Sequence, residues 1–331
     1  MSTSVNSDSC RNCGASQSEL LFQAGGFDQF GPQDLRKFEI RRCGGCGLVY
    51  TSDVSAAELD EAYSIDYYGS PSQKFSKIVE QVLQGLSLLR AKKIIKHWRD
   101  GSDSDGHPSV LDIGCGRGNL LTDFRSLGAS TVGIERPGFE VEEANSDFIH
   151  LGSLNDCEFA GRAFDIVTIW HVLEHLEDLN GFFSLVHNHT KKDGLLLVAV
   201  PNFSSLQQKL FGANWFHLDL PRHLMHFETH WLHKNLSEND FRIESVSHFD
   251  LVQNVYGFIQ SSLNLMFPAR PNEYYEMLKV NKGQIRKHKL RFAIYTVITF
   301  LLTPIALAEC VFSAISKQGA TVQVRARVSK V

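Results

Sequence analysis

The sequence lacks several features that would place it in a broad class at once. It has no excess of basic charge: 33 Lys and Arg stand against 37 Asp and Glu, a formal net charge of −4. The electrostatic footprint of a nucleic-acid-binding protein is missing, so no nucleic-acid partner is implied. The N-terminal stretch MSTSVNSDSC contains no apolar run, which excludes a secretory signal there. No internal repeat or low-complexity segment is found, which excludes a tandem array. An even set of cysteines is also missing. There are seven, and four of them fall in two C-x-x-C pairs. That pattern fits a metal site in a reducing, cytoplasmic compartment better than a disulfide framework.

What is present is an ordinary apolar fraction, 43% of 331 residues, enough for one large domain or two unequal ones. Residues 1–52 enclose the cysteine pairs. Residues 53–107 begin as an acidic, tyrosine-rich connector. They continue as an amphipathic helix from Phe75 to Trp98, with Phe75, Ile78, Val79, Val82, Leu83, Leu86 and Leu89 at helical spacing. The turn-rich RDGSDSDGHP closes that segment. From residue 108 the pattern alternates. SVLDIG, STVGIE, DFIHLG, FDIVTIW and GLLLVAV read as strands, with helices at NLLTDFRSLG and around 178–190. Strands alternating with helices predict a parallel, doubly wound sheet. FRIESVSHF (241–249) and ATVQVRARV (320–328) are two further strands. The α/β domain therefore covers 108–250, an apolar helical insertion 251–318, and the final strand of the sheet 319–331.

CRNCG supplies Cys10 and Cys13, and CGGCG supplies Cys43 and Cys46. Each is C-x-x-C-G, a turn that points two thiolates at one ion. Four thiolates complete a closed tetrahedral site, which is structural and suits Zn2+. Cys115, Cys157 and Cys310 read as buried residues.

VLDIGCGRGN is the most informative stretch. Gly114, Gly116 and Gly118 follow a strand and precede a helix, so backbone can approach a ligand at the carboxyl edge of the sheet. A dinucleotide fingerprint needs G-x-G-x-x-G, and Asn119 after Gly118 breaks it. Asp112 ends the strand; a carboxylate there repels a pyrophosphate and suits a cationic ligand such as S-adenosylmethionine. Here the sequence resembles the class I S-adenosylmethionine-dependent methyltransferases. The resemblance implies a Rossmann-like, seven-stranded, mostly parallel sheet. It also implies cofactor contacts at Asp112, Gly114, Cys115, Gly116, Gly118 and Asn119. Glu135 would hold the ribose hydroxyls, Gly152, Ser153 and Leu154 would flank the adenine, and Trp170 and His171 would line the methionine end. The cysteine segment ahead of this domain narrows the resemblance to bacterial enzymes that modify sugars or glycans.

The stretch after the fifth strand, through WFHLDLPRHLMHF (215–227), should cover the transferred methyl group. If the acceptor is a hydroxyl, a base must take its proton, and His171, His175, His223 and Asp219 are the candidates. Trp215 and Phe216 either stack on a sugar face or close the core. Arg222 pairs either with an acceptor phosphate or with Asp219.

FAIYTVITFLLTPIALAECVF (292–312) is long enough to span a membrane, and basic residues precede it. In the resembled fold, however, the strands on either side of the insertion are neighbours. Residues 250–318 must therefore leave and return on one side. Segments 251–267 and 292–312 are expected to pair as a hairpin, either lying on a membrane surface or forming a soluble cap or homodimer face.

The resulting expectation is a cytoplasmic methyltransferase, or one at the cytoplasmic face of the membrane. Its acceptor would be a sugar or lipid-linked glycan, with O-methylation the default. The alternatives are a polyprenyl- or quinone-like acceptor, or a non-catalytic cofactor-binding protein.

Overall fold

The computed structural model describes residues 9–26, 36–63, 75, 77–102, 106–139, 141, 145–152, 161–179, 181–279 and 282–329. In chain order the elements are β1 (Ser18–Gly25), β2 (Lys37–Cys43), β3 (Val49–Thr51), α1 (Ala56–Ala62), α2 (Lys77–Asp100), β4 (Ser109–Ile113), α3 (Asn119–Ser126), β5 (Ser130–Glu135) and β6 (Ile149–Leu151). There follow β7 (Phe164–Trp170), α4 (Phe182–Asn188), β8 (Thr190–Pro201), α5 (Leu206–Phe211), β9 (Met225–His226), α6 (Thr229–Glu238) and β10 (Phe241–Ser247). The insertion holds α7 (Leu251–Met266), α8 (Glu273–Leu278), α9 (Lys282–Lys287) and α10 (Lys289–Ile315), before β11 (Thr321–Val328).

Seven strands form the main sheet in the order β10-β11-β8-β7-β4-β5-β6. The strands from β8 to β6 pair in parallel. β11 is antiparallel to both β8 and β10, with Val322 opposite Val200 and Val324 opposite Val246. This is the doubly wound sheet expected from the alternation, with the seven strands and the antiparallel last strand that the resemblance implied. The central strands are apolar runs because both of their faces are covered: Leu195–Val200 of β8 are fully buried. The first strand of the pattern, β4, leads into α3 through the glycine loop, which places Asp112 and the glycines at the carboxyl edge of the sheet.

The N-terminal segment does not stand alone. β1, β2 and β3 form an antiparallel sheet whose fourth strand is β9, with Val49 opposite His226 and Tyr50 opposite Met225. β9 belongs to the histidine-rich stretch, so the cysteine segment is hydrogen-bonded to the ribbon expected on the acceptor side. The connector holds a short helix, α1, capped by Ser55 and Glu58 in a reciprocal capping box. Residues 64–74 lie outside the described residues. The helix expected around 178–190 is confined to Phe182–Asn188, because Gly181 in a left-handed conformation starts it.

The insertion leaves after β10 and returns to β11 on the same side. α7 and α10 pack as a pair, as expected from the return of the chain to the neighbouring strand. The two helices are not equivalent. α7 is the inner one, burying Asn254, Gly257, Phe258, Ile259, Gln260, Ser261, Leu263 and Asn264. α10 buries only Tyr295, Ala306, Cys310 and Ser313.

Candidate active site and four-cysteine cluster

The loop after β4 is pinned to the neighbouring strand by two amides, Gly114 and Cys115, which donate to the Ile134 carbonyl at 2.8 and 3.1 Å. Gly114 has φ +71°, and a Cβ there would lie 2.2 Å from Val172 Cγ2. Gly116, at φ +53°, has no atom of the described residues within 4 Å of where a Cβ would stand. Its amide donates to Glu135 Oε2 at 2.7 Å, so the acidic end of β5 and the loop form one unit. The Gly152 amide donates to the Glu135 carbonyl at 2.9 Å, which brings the end of β6 to the same edge. Ser153 and Leu154 lie outside the described residues, as does Cys157.

A cleft of about 380 Å³ opens beside this loop, lined by Asp112, Gly114, Cys115, Asn119 and Trp170 among others. Asp112 is 4% exposed and accepts from Thr168 Oγ1 at 2.5 Å. Burial pushes its carboxyl up to about 7, against that hydrogen bond. Two lining residues carried no signal in the sequence: Arg90, whose guanidinium lies 3.7 Å from the Trp170 ring centre, and Asp250, the N-cap of α7. Both come from outside the motifs, on elements that only the fold brings over the cleft.

The candidate bases gather just past β7. His171 follows Trp170 at φ +55°, its amide held by the Ala199 carbonyl at 2.8 Å. A turn of 3₁₀ helix, Leu173–His175, then returns Glu174 toward it. His171 Nδ1 lies 3.1 Å from Glu174 Oε1. A carboxylate can only accept, so Nδ1 carries the proton and Nε2 keeps a lone pair. That Nε2 and Glu174 Oε2 are both buried, and neither has a hydrogen-bond partner among the described residues. Burial alone would raise the Glu174 carboxyl. The hydrogen bond from His171 outweighs it and holds the group down at about 2. Glu174 was missed in the sequence; its only signal was the i+3 spacing from His171.

The ribbon 215–227 completes the cluster. His175 Nδ1 lies 2.9 Å from Tyr63 Oη and 3.1 Å from the Arg222 carbonyl. His223 donates from Nδ1 to the His217 carbonyl at 2.9 Å, and burial holds it neutral, at about 4. His175 and His223 rings meet edge to face at 4.6 Å. Asp219 is engaged otherwise than as a base. Arg222 donates to it from Nε at 3.0 Å and from Nη2. Burial raises this carboxyl, but the adjacent guanidinium prevails and keeps it far below the usual range, so it is a poor proton acceptor. His217 and His226 bond to the Gln253 carbonyl and Thr51 and act as structural links. Trp215 is completely buried against Phe203 and His217, which leaves no ring face for a sugar.

Among the described residues, two donor sets could hold a metal. In the first, Cys10, Cys13, Cys43 and Cys46 present four sulfurs within 4.8 Å of one another. The Gly45 and Cys46 amides point at Cys43 Sγ from 3.3 and 3.4 Å. Amides aimed at sulfur favour thiolates, and four sulfurs at this separation match a closed tetrahedral zinc site. In the second set Glu174, His175 and His223 offer one ligand atom each within the same distance.

Residues 80–246, half of the chain, match the model of a methyltransferase domain family. A ubiquinone biosynthesis O-methyltransferase of Rhodopseudomonas palustris is 34% identical over 122 residues, covering 34% of this chain and 48% of that protein. Its counterpart in Mesorhizobium japonicum is 26% identical over 187 residues, covering 52% and 74%. The chain thus spans about half the length of the first of these relatives. Among solved structures, a putative sarcosine dimethylglycine methyltransferase of Galdieria sulphuraria aligns with 82% of this chain and 98% of its own. The identity there is 14% and the TM-score 0.48. With half of its residues matched by the family model, this chain belongs to the methyltransferase domain family.

Proposed function

We propose that the protein is an S-adenosylmethionine-dependent O-methyltransferase. Its acceptor would be a small hydroxylated aromatic compound bearing an apolar chain. The observation that carries this reading is the pairing of half-buried His171 with buried Glu174, one residue beyond Trp170, which lines the cofactor cleft. The cleft fits the cofactor. The open side of Gly116 admits a ligand against the backbone, and the carboxylates of Asp112 and Glu135 suit its ammonium and its ribose hydroxyls. Arg90 suits its carboxylate. When bound, the cofactor supplies an electrophilic methyl carbon on a sulfonium.

The chain's own groups then have defined tasks. Trp170 and the ribbon 215–227 close the acceptor side, which aligns the acceptor oxygen by proximity. His171 Nε2 would take the hydroxyl proton as the acceptor oxygen gains the methyl group and the methyl–sulfur bond gives way, and Glu174 would stabilise the resulting imidazolium. The four cysteines would hold Zn2+ in a structural role that joins the 10–13 turn to the turn between β2 and β3, and β3 in turn pairs with β9 of the acceptor ribbon.

Two features behind the expected sugar or lipid-linked glycan acceptor no longer support it. Trp215 is core, and the Arg222 guanidinium grips Asp219 instead of facing a phosphate. The relatives act in ubiquinone biosynthesis by name, which favours the quinone-like alternative. The test is radiolabelled methyl transfer to a prenylated dihydroxybenzene and, in parallel, to lipid-linked sugars. Transfer to the aromatic acceptor, lost in His171→Ala with cofactor affinity kept, is the expected result. Labelling of the sugar fraction alone would overturn the acceptor. Tight cofactor binding without any transfer would instead favour the non-catalytic reading.

A further inference from the structure

The insertion lies beyond the residues that match the family, and its outer helix leaves one face uncovered. α10 has 27 residues, about 40 Å of helix at 1.5 Å per residue. Its inward face, with Tyr295, Ala306, Cys310 and Ser313, packs on the body of the protein. Its outward face carries Leu290, Val297, Phe300, Leu301, Phe312 and Ile315, each between 59% and 79% exposed. Together with the exposed Ile294, Ile305 and Ala308 they place an apolar residue at every third or fourth position from Leu290 to Ile315, one stripe along the whole helix. The one acid of the helix, Glu309, points inward and accepts from Gln207 at 2.9 Å. No charge therefore interrupts the stripe after Lys289, since Arg291 is held by Glu273 at 3.2 Å. Monomeric proteins rarely expose a continuous apolar surface of this extent.

The topology excludes a span. β10 and β11, on either side of the insertion, are hydrogen-bonded neighbours, and one face of α10 is already packed. A helix buried on one side and apolar on the other lies in the plane of an interface. Charge selects the occupant. Arg286, Lys287 and Lys289 are exposed immediately before the stripe, and Lys317 is exposed just after it. The same stripe of a second copy offers these cations no acid, because Glu309, the one acid of α10, faces inward, whereas an anionic headgroup layer offers many.

We propose that α10 is a docking surface for an anionic lipid bilayer. Its stripe dips into the acyl boundary, and Arg286, Lys287 and Lys289 sit among the headgroups. The surface does not depend on the catalytic reading, because its binding is measured without turnover. It would place the cleft beside a membrane-dissolved acceptor.

The experiment is flotation of the full chain with two kinds of vesicle, phosphatidylcholine alone and phosphatidylcholine with phosphatidylglycerol. Affinity for the anionic vesicles should be at least about tenfold higher, and it should fall as salt rises. Phe300→Ser with Leu301→Ser changes only exposed side chains. It should keep the melting temperature and weaken vesicle binding by about tenfold or more. Reversing the charge of Arg286, Lys287 and Lys289 together should abolish the preference for phosphatidylglycerol. Unchanged vesicle binding in the Phe300→Ser, Leu301→Ser protein would overturn the proposal. So would a dimer, by light scattering, that this variant dissociates while neither protein binds vesicles.

Discussion

Replacing Glu174 with glutamine isolates the charge that the catalytic reading depends on. The substitution keeps the shape of a side chain that is 1% exposed, and it keeps an oxygen able to accept from His171 Nδ1. What it removes is the anion 3.1 Å from the ring that must become an imidazolium. At an effective dielectric of about 20, unit charges roughly 4 Å apart attract by about 4 kcal/mol, which is the upper bound for the loss. General bases contribute about 10²–10⁴ in rate. A fall in kcat of about 10²–10³ is expected, equal to roughly 2.7–4 kcal/mol at 1.36 kcal/mol per decade. Single-turnover transfer of labelled methyl measures the rate, and calorimetric titration of the cofactor measures the ground state. Cofactor affinity should change by less than about threefold, because Glu174 acts only once charge develops on His171. A turnover within about threefold of the parent protein would refute the reasoning, as would equal losses in rate and cofactor affinity.

Asp112 sets a pH dependence. Burial holds its carboxyl up at about 7 in the free protein, so a bound cation must displace a proton below that pH, and cofactor affinity should climb as pH rises to about 7. The free protein has the opposite slope. The native state keeps a proton that the unfolded state releases, so stability falls as pH rises from the ordinary carboxyl range to about 7; Asp112→Asn should flatten both curves. Gly114→Ala forces a Cβ to within 2.2 Å of Val172 at φ +71°, and thermal melts should show a loss of about 1–3 kcal/mol together with lost cofactor binding. Metal analysis should find one zinc per chain, and Cys46→Ser should release it and lower the melting temperature by more than about 5 °C. Arg327, 2% exposed, donates to Glu244 and to the carbonyls of Asp193, His97 and Trp98. Arg327→Met strands those acceptors and should cost about 3–5 kcal/mol in urea denaturation.

The sequence displayed what is local and hid what is long-range. The loop 112–119 was legible because three glycines and a carboxylate at a strand end have few other uses, and the cysteine pairs because metal knuckles have fixed spacing. The parallel, doubly wound sheet followed from the alternation, and the place of the last strand beside the one before it from the resemblance. Glu174 was not legible. It lies between two histidines in HVLEH, and its burial depends on a turn and a ribbon from 40 residues away. Nor could the pairing of Val49 with His226 be read, because strand partners so distant leave no mark in either segment. Apolar content marked both 251–267 and 292–312 as surface candidates. Only packing decides which of two apolar helices is inner, and α7, with its buried Asn254, Gln260 and Asn264, is held by hydrogen bonds that a hydropathy pattern does not register.

β11 enters the sheet between β8 and β10, two strands synthesised well before it. Until it arrives, β10 has no ladder partner and β8 shows an open edge to anything that can pair with it. The closing strand is also the first structure made after α10, the most apolar segment of the chain. During synthesis the nascent protein must therefore carry an unfilled gap and an uncovered greasy helix together, a combination prone to off-pathway association. A bilayer that received α10 early would shield that helix while the sheet waited to close. The surface that seats the finished protein would then also serve as its chaperone.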